Sequence, residues 1–186
     1  GDEVLQRWLA GTAEADLIDW LGQRTGDSLA SLAIDLDLFL TAHPSDSMIL
    51  YGLLVKTSSL GDLIHSFPAL SDAARAIPGI RFDWLVEEPF AEVPSWHPAV
   101  ASVIPIALRR WRRDWRKAWR NGDLKAFRER LRNADYDLVL DAQGLYKSAF
   151  AAMLARGPRA GFDRCSAREP LSVWTYHHIY PFSRVQ

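Results

Sequence analysis

Three stretches of the chain carry residue types able to do chemistry. The first, Lys56-Thr57-Ser58-Ser59-Leu60-Gly61-Asp62, puts small hydroxyl residues, a glycine and an acid at the entrance to a helical pattern. Helix N-termini attract anions, and a carboxylate there is favoured by the positive end of the helix dipole. Such an acid stays ionised at neutral pH and can accept the proton of a hydroxyl that attacks an electrophile. It can equally serve only to cap the helix, the commoner role for an acid so placed. The turn lacks G-x-G-x-x-G and G-x-x-x-x-G-K-[ST], so neither a dinucleotide fingerprint nor a P-loop is present.

The second stretch, Leu108 to Arg120, alternates guanidinium and indole: Arg109, Arg110, Arg112, Arg113, Arg116 and Arg120 with Trp111, Trp115 and Trp119. Arginine forks bind phosphate and carboxylate groups through paired hydrogen bonds. With one acid, Asp114, among them, an anionic ligand explains their gathering more economically than solvation does. The tryptophans at i, i+4, i+8 predict a single helix face, at least two of them packed on the core. The third stretch is Asp141-Ala142-Gln143-Gly144-Leu145-Tyr146-Lys147-Ser148, where Gln143 and Lys147 could reach the crevice of Asp62, or Asp141 could merely cap the next helix. Arg168 lies in a further loop, where an isolated surface ion pair would contribute little. His177-His178 has no accompanying cysteine or acid cluster and reads as structural, so no metal site is expected.

These stretches need elements to position them. From Met48 onward, strand patterns alternate with helical ones. Leu53–Val55, Arg81–Val86, Val100–Ile106, Tyr136–Leu140 and Ala160–Phe162 read as strands. Helices are expected near 63–77, over about 110–132 as one or two pieces, and over about 145–156. Pro68 falls inside the first and is expected to kink it. This alternation predicts an α/β fold with a mainly parallel sheet covered on both faces, whose ligand crevice lies at the carboxyl ends of the strands. The turns 56–62 and 141–144 both fall at such ends.

Residues 1–47 read differently, as short helices followed by a His43-Pro44-Ser45-Asp46-Ser47 linker, with Met48 at the start of the main domain. They hold nine acids against Arg7 and Arg24, a net −7, whereas residues 48–186 hold fourteen acids against twenty Lys/Arg, a net +6. The division predicts two pieces, 1–47 and 48–186, the second inclined towards an anionic partner. The single cysteine excludes an intrachain disulfide and suits a reducing cytosol. No apolar run reaches the roughly 20 residues needed to span a bilayer, and the acidic N-terminus does not read as a secretory signal.

Six blocks, in order, resemble the bacterial ADP-heptose:lipopolysaccharide heptosyltransferases, the type I branch most closely. They are VKTSSLGDLIHSFPAL (55–70), IPGIRFDWLVEE (77–88), PSWHPAV (94–100), VIPIALRRWRR (103–113), DAQGLYKSA (141–149) and AREPL (167–171). The resemblance implies a GT-B glycosyltransferase built from two Rossmann-like domains facing a cleft, of which this chain would be the N-terminal one. That half would take the Kdo inner core on lipid A, at the cytoplasmic face of the inner membrane of a Gram-negative bacterium. The other half would take ADP-heptose. Transfer would invert the anomeric centre and use no metal or other cofactor.

By the matched motifs, Asp62 is similar to the general base of the family. Arg109, Arg110, Arg112, Arg113 and Arg168 fall on positions that meet acceptor phosphates and carboxylates. Lys56, Thr57, Ser58, Ser59, Gly61, Gln143 and Lys147 complete the candidate substrate-binding set. Residues 1–47 have no counterpart in the family, and Tyr51-Gly52 stands where an apolar strand start is expected. The donor-binding domain is expected to be missing after Gln186, leaving a piece inactive on its own. Two alternatives remain: a sister heptosyltransferase, and a nucleic-acid binder using the basic helices with stacking tryptophans. A pI of about 6.6 speaks against nucleic acid.

Overall fold

The computed structural model describes residues 50–180. The helices and linker expected in residues 1–47, and the boundary at Met48, lie outside them.

Six strands form one parallel sheet. They are β1 (Tyr51–Val55), β2 (Arg81–Glu87), β3 (Val100–Ile106), β4 (Leu138–Asp141), β5 (Arg159–Phe162) and β6 (His178–Tyr180). Their order is β3-β2-β1-β4-β5-β6, with every neighbouring pair parallel. This is the doubly wound, Rossmann-like arrangement that the alternating pattern predicts. Strand order reverses between β1 and β4, so a crevice opens at their carboxyl ends.

Period-2 alternation along the strands sorts the core into two layers. On one face Leu54, Trp84, Val86 and Leu140 pack against α1 (Leu60–Ile64) and α2 (Phe67–Ala76), through Leu63, Phe67, Leu70 and Ala73. On the other, Leu53, Val55, Leu85 and Val139 meet Phe127 and Leu131 of α5 (Asp123–Arg132) and Ala151 and Ala152 of α6 (Tyr146–Leu154). The central strands are apolar on both faces, as a sheet covered on both sides requires.

Several boundaries differ from expectation for identifiable reasons. The helix expected through 63–77 is two helices. The first ends at Ile64 and the second starts at Phe67, which puts Pro68 in its first turn, where its missing N–H is no loss. The basic region is three helices, α3 (Leu108–Arg113), α4 (Trp115–Arg120) and α5. Asp114, with φ −148° and ψ 80°, breaks the first two apart and caps the second by accepting the Lys117 N–H at 3.0 Å. The expected tryptophan face is therefore lost. Only Trp111 turns inward, edge-on to Phe127 at 5.3 Å, while Trp115 and Trp119 are exposed. β4 starts two residues later than predicted and reaches Asp141, and β6 was not predicted. Tyr51, the polar start of β1, is accounted for by the N-terminal edge of the sheet. Its ring stacks on Tyr136 at 5.4 Å, and both hydroxyls donate to buried Asp83, at 2.6 and 2.8 Å. Of the histidine pair, His177 accepts the Arg159 N–H through Nδ1 at 3.0 Å and His178 opens β6, both structural positions.

Among the described residues His97 is a buried imidazole, held down at about 4 by burial. The Ala99 N–H donates to Nδ1 at 3.2 Å, so Nε2 carries the hydrogen and donates to Ser71 Oγ at 2.9 Å. Unfolded His97 takes up a proton near its ordinary value, and the native ring only near 4. Stability therefore falls as pH drops through that window. The native chain should lose about 2–3 kcal/mol more between pH 7 and pH 4 than a His97→Asn variant, read from urea midpoints at each pH.

Candidate functional site

The two polar turns at the switch point are tied together by side chains. Thr57 donates twice to Gln143 Oε1, from its amide at 2.8 Å and its hydroxyl at 2.6 Å. Gln143 Nε2 donates back to the Ser58 carbonyl at 3.1 Å and to Ser58 Oγ at 3.3 Å. Lys56 Nζ reaches the Ala142 carbonyl at 2.7 Å. Behind them sits Asp141, fully buried. Its Oδ1 accepts the amides of Gln143 and Gly144, at 2.9 and 3.2 Å, and its Oδ2 accepts the hydroxyls of Ser148 and Tyr176, at 2.9 and 2.7 Å. Burial pushes the Asp141 carboxyl above its ordinary value, against the pull of those four donors. The alternative that Asp141 merely caps the next helix is not what forms. That helix, α6, begins at Tyr146 after Leu145, and Asp141 instead holds the 143–144 turn and the Ser148 and Tyr176 hydroxyls.

A third segment docks on this pair. Gly144 has φ +65°, and a side chain there would run into Phe162 and the backbone of Ala167 and Arg168. Its absence lets the 163–169 loop lie against the turn, fastened by the Glu169 amide to the Gly144 carbonyl at 3.0 Å and by the Tyr146 amide to the Glu169 carboxylate. Arg168 is thereby brought close enough for its charge to act on both Lys56 and Asp62.

Asp62 occupies the third position of α1. Its Oδ2 accepts the Ser59 amide at 2.9 Å and the Ser59 hydroxyl at 3.1 Å, so it does cap the helix. Its Oδ1 receives no bond from the described residues. Partial burial pushes its carboxyl up, but the Ser59 amide, the Lys56 ammonium, the Ser59 hydroxyl and Arg168 together outweigh burial and hold it below the ordinary carboxylate value. It is ionised at neutral pH. Lys56 is lowered, chiefly by burial, with Asp62 drawing it back up and Arg168 pushing it further down.

The basic arm forms a separate cleft of about 880 Å³, lined by Arg109, Arg112, Arg113, Trp111, Trp115 and Lys147, with Glu87 at its floor. Glu87 is buried and caps α3 by accepting the Arg109 amide at 2.8 Å. Arg110 does not line this cleft. It forms ion pairs with Glu88 at 3.0 Å and Asp123 at 2.6 Å, and these partners raise its pKa further. The expected arginine cluster is thus split, three side chains facing the cleft and one closed on acids distant in sequence. Glu88 and Asp123 lie 22 and 13 residues from Arg110, beyond the reach of a local charge count. The structure brings Lys56, Thr57, Ser58, Ser59, Gly61, Asp62, Gln143 and Arg168 to one crevice, and Arg109, Arg112, Arg113 and Lys147 to the cleft. Tyr176 and Glu87 were not foreseen. Only the folded chain shows that an isolated tyrosine, packed over Gly161, reaches Asp141.

Residues 124–185 match the family model described as glycosyltransferase family 9 (heptosyltransferase). Over 130 residues the chain is 62% identical to lipopolysaccharide heptosyltransferase 1 of Pseudomonas aeruginosa, covering 69% of this chain and 37% of that protein. The corresponding enzyme of Escherichia coli K12 is 56% identical over 131 residues, 68% of this chain and 41% of that one. The solved E. coli heptosyltransferase WaaC with ADP-2-deoxy-2-fluoro heptose superposes with a TM-score of 0.71 at 52% identity, over 74% of this chain and 44% of that one. The chain thus spans about two fifths of the length of these curated relatives.

Removing the Tyr176 hydroxyl takes one donor from a buried carboxylate. Tyr176→Phe should lower stability by about 1.5–3 kcal/mol in urea unfolding, with the largest chemical-shift changes at the Gln143 and Thr57 amides. A change confined to β6 would show that the 141–144 turn is held without it.

Proposed function

We propose that the chain, similar over the stretch it shares with its relatives to lipopolysaccharide heptosyltransferase 1, is the acceptor-binding half of an inverting GT-B glycosyltransferase. That enzyme moves L-glycero-D-manno-heptose from ADP-heptose to the Kdo inner core of lipopolysaccharide, working at the cytoplasmic face of the inner membrane. The observation that carries this reading is the ionised Asp62 carboxylate at the switch point, with Oδ1 open, beside an arginine-lined cleft.

In this mechanism Oδ1 of Asp62 takes the proton of the acceptor hydroxyl as that oxygen bonds to the anomeric carbon of the donor. The bond from that carbon to the ADP phosphate breaks, and its electron pair leaves with the nucleotide. Lys56 and Arg168 hold Asp62 anionic and add positive potential where acceptor anions lie. Arg109, Arg112, Arg113 and Lys147 grip phosphates and carboxylates of the acceptor in the cleft. Thr57, Ser58 and Gln143 hold the turn carrying Ser59, Gly61 and Asp62 against the sheet. Arg110 braces α3 against the turn that follows β2 and against α5. On this reading the described domain supplies the acceptor site of the enzyme.

The test uses a deacylated Kdo-containing acceptor and calorimetry on the chain as it stands. Arg112→Ala and Arg113→Ala should each weaken binding about tenfold or more, and exposed Arg128→Ala should do so by less than about twofold. Equal losses at all three, or tighter binding to a DNA duplex, would overturn the acceptor assignment. In the chain extended to the length of its relatives, Asp62→Asn should lower kcat by at least about 10²-fold with little change in acceptor affinity.

A further inference from the structure

The break at Asp114 leaves a surface that the cleft uses only in part, through Arg112, Arg113 and Trp115. In α4, Trp115 and Trp119 are 62% and 71% exposed and stand at i, i+4, on one side of the helix. Ala118 is the only buried residue of α4 and seats it on the domain. Around the indoles lie Arg112, Arg113, Arg116, Lys117 and Arg120, all exposed. Against these five cations residues 112–120 contain one acid, Asp114, a net +4, and its carboxylate is engaged by the Lys117 amide. Two large indoles kept in water within a cationic ring suit a boundary that is apolar on one side and anionic on the other. Tryptophan concentrates at the level of lipid headgroups, and arginine and lysine draw an element onto an anionic leaflet.

We propose that α4 is a membrane-docking element, with Trp115 and Trp119 entering the headgroup layer of an anionic phospholipid bilayer and the surrounding cations pairing with lipid phosphates. No helix among the described residues is long and apolar enough to cross a membrane, so the contact is peripheral. Trp115 also lines the arginine cleft, which places the mouth of that cleft at the leaflet. The orientation rests on the acceptor-half reading, which makes the substrate lipid-borne. The docking itself rests on the exposed indoles and their charges.

The test uses vesicles without any sugar acceptor: phosphatidylcholine alone, and phosphatidylcholine mixed equally with phosphatidylglycerol. The chain should sediment with the mixed vesicles and not with the neutral ones, and brominated lipid should quench part of its tryptophan fluorescence. Replacing Trp115 and Trp119 together by Ala should lower partitioning about tenfold or more and abolish the quenching. Because both side chains are exposed, the melting temperature should hold. Trp119→Ala alone, outside the cleft, should weaken vesicle binding while leaving calorimetric binding of the deacylated acceptor unchanged. Undiminished partitioning of the double variant, or quenching that persists in it, overturns the docking role. Stronger binding to duplex DNA than to mixed vesicles does so too, and favours a nucleic-acid surface. Normal acceptor binding without vesicle binding sinks this inference alone, and vesicle binding without acceptor binding sinks the acceptor reading alone.

Discussion

Burying the carboxylate of Asp141 obliges the chain to bring donors to it, and the geometry of the crevice follows from how it does so. Two come from the next turn of backbone, at Gln143 and Gly144, one from Ser148 in the first turn of α6, and one from Tyr176, 35 residues away. An unpaired charge at that depth would cost several kcal/mol, so the donors cannot be supplied loosely. Once the turn is fixed, Gln143 faces Thr57 and Ser58 and dictates where the loop after β1 runs. Asp62, two turns removed from Asp141, inherits its position from that chain of bonds.

The two carboxylates show how environment divides roles between like groups. Asp141 is raised by burial and surrounded by hydrogen bonds, leaving no access for a substrate. Asp62 is only partly covered, is held down by the Ser59 amide first and by Lys56 and Arg168 beside it, and keeps one oxygen free of bonds from the described residues. Glu87 is a third acid at the carboxyl edge, and its carboxylate is occupied with the start of α3. Of Asp62 and Asp141, Asp62 is the one that combines ionisation with an open oxygen.

Much of this was legible in the sequence because the signals were local. The alternation of apolar runs gave the parallel sheet. Small polar residues after Val55 and after Leu140 marked the two turns, and six ordered blocks identified the relatives. What was not legible depended on distance. Nothing near Tyr176 announces that its ring covers Gly161 and its hydroxyl finds Asp141. The pairing of Arg110 with Glu88 and Asp123 needs β2, α3 and α5 folded together. The tryptophan face failed for a different reason. Spacing at i, i+4, i+8 assumes one continuous helix, and Asp114 is a strong cap that starts a new one.

The central strand has a bearing on how the molecule comes into being on the ribosome. β1 pairs on one side with β2, whose partner residues follow 30 positions later, and on the other with β4, 86 positions later. The bonds joining Thr57 to Gln143 span the same 86 residues. A nascent chain that has reached β3 can pair three strands but still shows the second edge of β1 to the solvent. For the next few dozen residues of synthesis that edge, made of Leu53, Leu54 and Val55, is a ready template for any other extended chain. The arginine-rich helices α3 to α5 are made in this interval, between β3 and β4. The edge closes only when β4 arrives, so the length of these three helices sets how long it stays unpaired.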